Sequence, residues 1–160
     1  IEAENFSSQS GLQTESCNDT GGGLNIGYIQ NGDYAVYVGL DFGNGAYDFS
    51  VRVASATGGG TIEIRLDSVD GPLVGTCVVP GTGGWQNWTT VNASVNGASG
   101  SHDLYLRFTG GNADLMNVNW FQFIPVPTSA FSPIEAENFS SQSGLETENC
   151  SDTGGGLNIG

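Results

Sequence analysis

The first 27 residues, IEAENFSSQSGLQTESCNDTGGGLNIG, return at 134–160 as IEAENFSSQSGLETENCSDTGGGLNIG, with 24 positions identical. The exceptions pair Gln13 with Glu146, Ser16 with Asn149 and Asn18 with Ser151. An offset of 133 residues is far longer than the period of a solenoid or propeller and fits tandem copies of a whole domain. The chain is therefore expected to hold one complete unit, residues 1–124, then a connector at 125–133 and the truncated start of a second, near-identical unit at 134–160. A unit of this length has the usual size of a single domain and can bury a real core. The connector, PVPTSAFSP, carries three prolines in nine residues and is expected to be an extended, semi-stiff spacer. The tail lacks the strands to complete its own fold and alone is expected to be disordered, unless its first strand pairs with a neighbouring molecule.

Within the unit, short segments alternate apolar and polar residues. Tyr47, Phe49, Val51 and Val53 are separated by polar side chains, as are Ile62, Ile64 and Leu66, and Leu104, Leu106 and Phe108. Period-2 alternation is the mark of strands with one buried face. Further strands are expected at 1–5, 34–40, 73–79, 88–95 and 115–124, separated by glycine-rich turns such as Asn31-Gly32, Gly58-Gly59-Gly60 and Asn96-Gly97. No segment carries a sustained helical stripe. Strands at this spacing predict an all-β fold, a β-sandwich of the jelly-roll type with mostly antiparallel strands.

There is no lysine, and Arg52, Arg65 and Arg107 are the only arginines, so the formal net charge is −14. Such a balance makes nucleic acid, anionic membranes and polyanionic ligands poor partners, and leaves a neutral ligand or a cation compatible. Cys150 duplicates Cys17, which leaves Cys17 and Cys77 as the expected disulfide pair of the first unit. Closing that loop of roughly 60 residues would stabilise by about 4 kcal/mol; two unrelated buried thiols are the alternative. No apolar stretch reaches membrane-spanning length, and the chain reads as a piece of a larger secreted, extracellular protein.

The aromatic residues fall into two groups. Phe49, Phe108, Phe121 and Phe123 sit on alternating strand faces and are expected in the core. Tyr28, Tyr34, Trp85 and Trp88 sit beside Gly, Asn and Gln at loop–strand borders, in GYIQNGDY and GGWQNWT. Exposed aromatic planes stack on the CH face of a pyranose, and neighbouring amides serve its hydroxyls.

At these motifs the chain resembles the family 6 carbohydrate-binding modules appended to secreted polysaccharide-degrading enzymes. The resemblance spans residues 1–124 and rests on IEAENFSSQSG, DTGGGLNIGYIQNGDY, VRVAS with GGG, GGWQNWTTV and NVNWFQF in order. It implies a sugar site in loops at one edge of the sandwich, with Tyr28 and Trp85 flanking a ring and Asn117 hydrogen-bonding it. Tyr34 would line the same cleft, with Glu15 or Asn18 as polar contacts. The 110–116 loop is longer than the family usually shows, so Asn112 or Asp114 is a candidate to share Asn117's role. The family also implies a structural calcium. Glu2 and Glu4, two apart on the expected first strand, would point the same way at a separation of roughly 7 Å along the backbone, and like carboxylates that close call for a cation or a raised pKa, with a solvated edge strand as the alternative. Asn119, where the family commonly carries Asp, and a backbone carbonyl near Asn25 would complete the set.

The leading expectation is a non-catalytic module that targets a catalytic domain on the same parent chain to a neutral polysaccharide. The chain looks most like the tandem modules of marine bacterial agarases, which points to agarose, with xylan or β-glucan as the alternative. A small glycoside hydrolase acting through Glu2 and Glu4 and a protein-binding adhesion domain are the other classes. Nucleophilic catalysis has little to stand on, since His102 is the only histidine.

Overall fold

A computed structural model describes residues 1–127 together with 141, 143–144, 146–149 and 157–159. The strands are β1 (Ser8–Ser10), β2 (Gln13–Ser16), β3 (Leu24–Gly27), β4 (Tyr34–Asp41), β5 (Ala46–Ser55), β6 (Gly59–Leu66), β7 (Leu73–Pro80), β8 (Gly84–Ala98), β9 (Ser101–Thr109), β10 (Asn117–Pro125), β11 (Thr147–Asn149) and β12 (Leu157–Ile159). No helix occurs among the described residues. The chain divides into two units, Ile1–Val126 and Pro127–Gly160.

In the first unit ten strands form one sheet in the order β1-β4-β9-β6-β7-β8-β5-β10-β3-β2, and every pairing is antiparallel. The alternation expected from the sequence decides which side chains face inward. Ile62, Ile64 and Leu66 of β6 stand opposite Phe108, Leu106 and Leu104 of β9, and all six are buried. On the other half of the sheet, Phe49 and Val51 of β5 stand opposite Phe123 and Phe121 of β10. The sheet curls so that these halves meet. Tyr37 of β4 packs edge-on against Phe121 of β10, centroids 4.8 Å apart. Its hydroxyl donates to Ala3 O at 2.7 Å, which satisfies the one polar atom it buries. Phe42, just after β4, meets Phe123 in the same way at 5.0 Å. Burying one such ring is worth about 1.5–3 kcal/mol, so this aromatic seam holds the halves together. β8 lends Val95 to the one pairing between the halves among the described residues, with Gly75 of β7.

Three expectations need correction. Residues 1–5 are not a strand but a single bridge, Glu2 to Trp120, followed by a turn. Asn5 N–H donates back to Glu2 O at 3.1 Å while Ala3 N–H is held by Asn119 O at 2.8 Å, so the chain bends away after one pairing. Cys17 and Cys77 are both buried free thiols and form no disulfide. Burial raises both pKa values, Cys77 to about 11; beyond burial Cys17 senses Asp19, Glu4 and Glu2, whereas Cys77 senses Asp48. The two sulfurs thus occupy different neighbourhoods, one outside edge strand β2 and one inside β7. The third concerns the tail. β11 and β12 pair as Thr147↔Ile159, Glu148↔Asn158 and Asn149↔Leu157. This repeats the β2–β3 register Thr14↔Ile26, Glu15↔Asn25 and Ser16↔Leu24, so two short strands pair among the described residues of a tail expected to be disordered. The tail's copy of the first residues, 134–140, and Cys150 lie outside the described residues.

Candidate functional site

The β2–β3 hairpin, the start of β8 and the loop entering β10 converge at one edge of the unit. There Glu15, Tyr28, Trp85, Asp114 and Asn117 line a cleft of about 200 Å³. Tyr28 follows β3 and is 49% exposed, with φ at 57°. Left-handed backbone costs a non-glycine residue about 1–2 kcal/mol, so the ring is held outward against a local penalty. Gly27 before it is required by close approach. A Cβ there would come within 2.7 Å of Asn117 Oδ1 and 3.3 Å of Glu15 Oε1.

Asn117 is buried, and its amide nitrogen donates both to Glu15 Oε1 and to Trp85 O, the latter at 2.7 Å. With acceptors on both sides of the nitrogen, the amide has only one sensible orientation, and Oδ1 is left over Gly27. One side chain thereby ties β2, β8 and β10 together. Glu15 Oε1 also accepts from Asn25 Nδ2 and Gln86 Nε2, each at 3.3 Å. Asp114 Oδ1 accepts from Gln30 Nε2 at 3.0 Å, and its backbone carbonyl accepts from Thr57 Oγ1 at 3.0 Å. Charge-assisted bonds of this kind hold side chains in place before a ligand arrives.

The other sequence candidates stand elsewhere. Tyr34 lies on the outer face of β4, its ring 6.1 Å from that of Tyr105, and does not line the cleft. Asn18 sits one step outside, where its N–H donates to Gln86 Oε1 at 2.8 Å and its Oδ1 accepts from Trp88 Nε1 at 3.1 Å. Asn112 is exposed and not part of the lining. Two supporting residues carry no sequence signal. Gln86 contacts Glu15, Ser16, Asn25 and Asn18 at once, and Gln30 fixes Asp114. Gln86 stands near the start of β8 and Gln30 in the loop after β3, and the roles of both depend on segments far away in sequence.

Glu2, Glu4 and Asn119 line a separate cavity of about 260 Å³ with Trp120 and residues 20–23. Calcium prefers hard carboxylate and carbonyl oxygens, and the donor set fits it: Glu4 Oε2 is buried without a hydrogen-bond partner. Asn119 gives its Nδ2 to Asp19 at 3.1 Å, which leaves its own oxygen unspent. Asp19 is itself clamped by Arg52 through two 2.8 Å bonds, which lower its pKa to about 2. Asn25, near which a backbone carbonyl was expected to ligate, is not among the residues lining this cavity; its side chain joins Glu15, Gln86 and Ile26 O. The acidic pair stands apart from the cleft of Tyr28 and Trp85. A larger groove of about 370 Å³ at Ile1, Phe42, Phe123 and Pro125 is mostly apolar. Its Phe42 and Phe123 rings are spent on one another, so the smaller cleft carries the chemistry.

An open cleft with two aromatic side chains, an anchored amide and carboxylates is the equipment of a sugar binder rather than of a catalyst. Residues 2–125 match the carbohydrate binding module (family 6), and the chain belongs to that family of non-catalytic modules found in glycoside hydrolases. It is similar to a family 6 module from Clostridium cellulolyticum solved with xylose, at 55% identity and a TM-score of 0.75 over 78% of this chain and 95% of that one. It is also similar to a β-1,3-glucan binding module from Bacillus halodurans, at 51% identity and a TM-score of 0.76 over 77% and 92%. Among curated proteins, an arabinoxylan arabinofuranohydrolase of Paenibacillus polymyxa is 44% identical over 86% of this chain. The endo-1,4-β-xylanase A of Thermoclostridium stercorarium is 37% identical over 100% of it. This chain spans only 22% of the former's length and 32% of the latter's.

Proposed function

We propose that residues 1–124 hold a larger, secreted polysaccharide-degrading protein on a neutral polysaccharide through the Glu15–Tyr28–Trp85–Asp114–Asn117 cleft. The observation that carries this reading is that Tyr28 and Trp85 line one cleft with an amide locked between Glu15 and the Trp85 carbonyl. Rings stack on the sugar's CH face while Asn117 and the carboxylates take its hydroxyls. Xylan or β-glucan is the polymer favoured by the ligands of the related modules. The acidic, lysine-free composition supports agarose as the second reading. The curled two-layer arrangement supports the jelly-roll form.

One cleft of this size gives modest affinity, on the order of micromolar to millimolar, or about −8 to −4 kcal/mol. Tandem units would offset that by making the second contact intramolecular. Calcium held by Glu2, Glu4 and Asn119 would neutralise the acidic corner and tie the first residues to β10, with no part in ligand contact. Electrophoresis through gels containing xylan, β-glucan or agarose tests the function. Retardation by at least one polymer, lost in Trp85→Ala and Tyr28→Ala, is expected. Free migration in every neutral polymer, or unchanged retardation of both variants, refutes it.

A further inference from the structure

The cleft's free polar atoms are strongly biased toward acceptors. Glu15 spends Oε1 on Asn117, Asn25 and Gln86, and Asp114 spends Oδ1 on Gln30. Asn117 spends both its N–H bonds on Glu15 and Trp85. That leaves Glu15 Oε2, Asp114 Oδ2 and Asn117 Oδ1 without a partner among the described residues. No arginine, lysine or histidine lines the cleft. The donors left are the Tyr28 hydroxyl and the Trp85 indole N–H, and both belong to the stacking platforms. A ring entering here must therefore bring most of the hydrogens itself, and it enters a cleft lined by two carboxylates.

Resting on the sugar-binding reading above, we infer that Glu15 and Asp114 select ligands by hydrogen-bond polarity, so that a protonated amino sugar is bound in preference to its neutral counterpart. An ammonium offers three donors and a positive charge where a hydroxyl offers one donor. An acetamido group at the same carbon removes the charge, adds an acceptor and adds bulk in a cleft of only about 200 Å³. Ester or ether substitution of ring hydroxyls removes donors in the same way and leaves the cleft's acceptors to water.

Three β-1,4-linked tetramers that differ only at C2 separate these cases: cellotetraose, the glucosamine tetramer and the N-acetylglucosamine tetramer. Each is titrated calorimetrically into the full chain at mildly acidic pH, in low and high salt, with xylotetraose as the reference for neutral binding. The expected order is glucosamine tetramer, then cellotetraose, then N-acetylglucosamine tetramer. The first step should be about fivefold to tenfold, the range two half-exposed charge pairs supply, and salt should shrink it. Asp114→Asn and Glu15→Gln should each reduce that ratio, with circular dichroism confirming the fold. Trp85→Ala separates the cleft from the acidic surface at large: the amine preference should disappear with it. A glucosamine tetramer that binds no tighter than cellotetraose, or a preference that survives Trp85→Ala, overturns the inference while xylotetraose binding leaves the cleft's role standing. Loss of all neutral-sugar binding would instead remove the reading on which it rests.

Discussion

Gly27→Ala tests whether the cleft is built around one atom. The backbone at Gly27 is not left-handed, so alanine costs nothing there in φ. The added Cβ, however, would lie 2.7 Å from Asn117 Oδ1, inside any tolerable contact. Asn117 cannot yield cheaply, because its nitrogen is fixed between Glu15 Oε1 and Trp85 O. Rotating it away forfeits one bond to a charged group and one to a carbonyl, together about 2–4 kcal/mol of stability at most. It also removes the Oδ1 acceptor from the ligand, an expected loss of about tenfold in affinity, or about 1.4 kcal/mol. Urea denaturation gives the first quantity, and affinity electrophoresis in the retarding polysaccharide gives the second. Gly58→Ala is the control, since a Cβ there meets nothing within 4 Å. The Gly27→Ala, Asn117→Ala double variant should bind no more weakly than Asn117→Ala alone, because both act on the same atom. An unchanged urea midpoint together with affinity within about twofold of the parent would refute the account of Asn117 as a pinned side chain.

Tyr28→Gly should separate stability from binding. Relieving the 57° φ raises stability by up to about 1 kcal/mol while retardation by polysaccharide is lost; a variant that is less stable and still retarded would contradict both halves. Cys17 and Cys77 should both alkylate in denaturant without reductant, read by mass spectrometry, since both are free thiols. In the native state at pH 8, Cys77 should resist, because burial and a pKa raised to about 11 leave little thiolate. Calcium should stabilise by about 2.7 kcal/mol at a hundredfold excess over its dissociation constant. Chelation should then lower the melting temperature, and identical melting curves with and without chelator would leave Glu2 and Glu4 as a solvated pair.

What the sequence made legible follows from how each feature is encoded. The strands of the core alternate strongly, so β5, β6 and β9 and their inward residues were visible without any fold in mind. β1, β2 and β3 were not, because Ser8–Ser10 and Gln13–Ser16 are polar throughout and owe their extended form to neighbours: β1 to β4, and β2 to β3. Residues 1–5 erred the other way, since alternation between Ile1 and Asn5 suggested a strand where the chain bends after one bridge. In the cleft, five of the eight candidates converge: Glu15, Tyr28, Trp85, Asp114 and Asn117. Tyr34 does not line the cleft because it lies on β4 among outward-facing side chains, beside Tyr105. The contacts of Gln86 and Gln30 were invisible, since only the folded chain brings the first within 3.3 Å of Glu15 and the second within 3.0 Å of Asp114.

β10 joins the two candidate sites. Asn117 and Asn119 are two apart on one strand and so share a face. The first reaches Glu15 on β2, and the second reaches Asp19 in the turn beyond it. A single hairpin, β2–β3 with its glycine-rich turn, is therefore gripped at both ends by the same strand. Its register belongs to the hairpin's own residues, because β11 and β12 repeat it residue for residue outside the first unit. The hairpin is encoded locally, whereas its position against β10 depends on the two asparagines. Damage at the acidic corner should accordingly reach the sugar cleft through the hairpin's placement, with its pairing left intact.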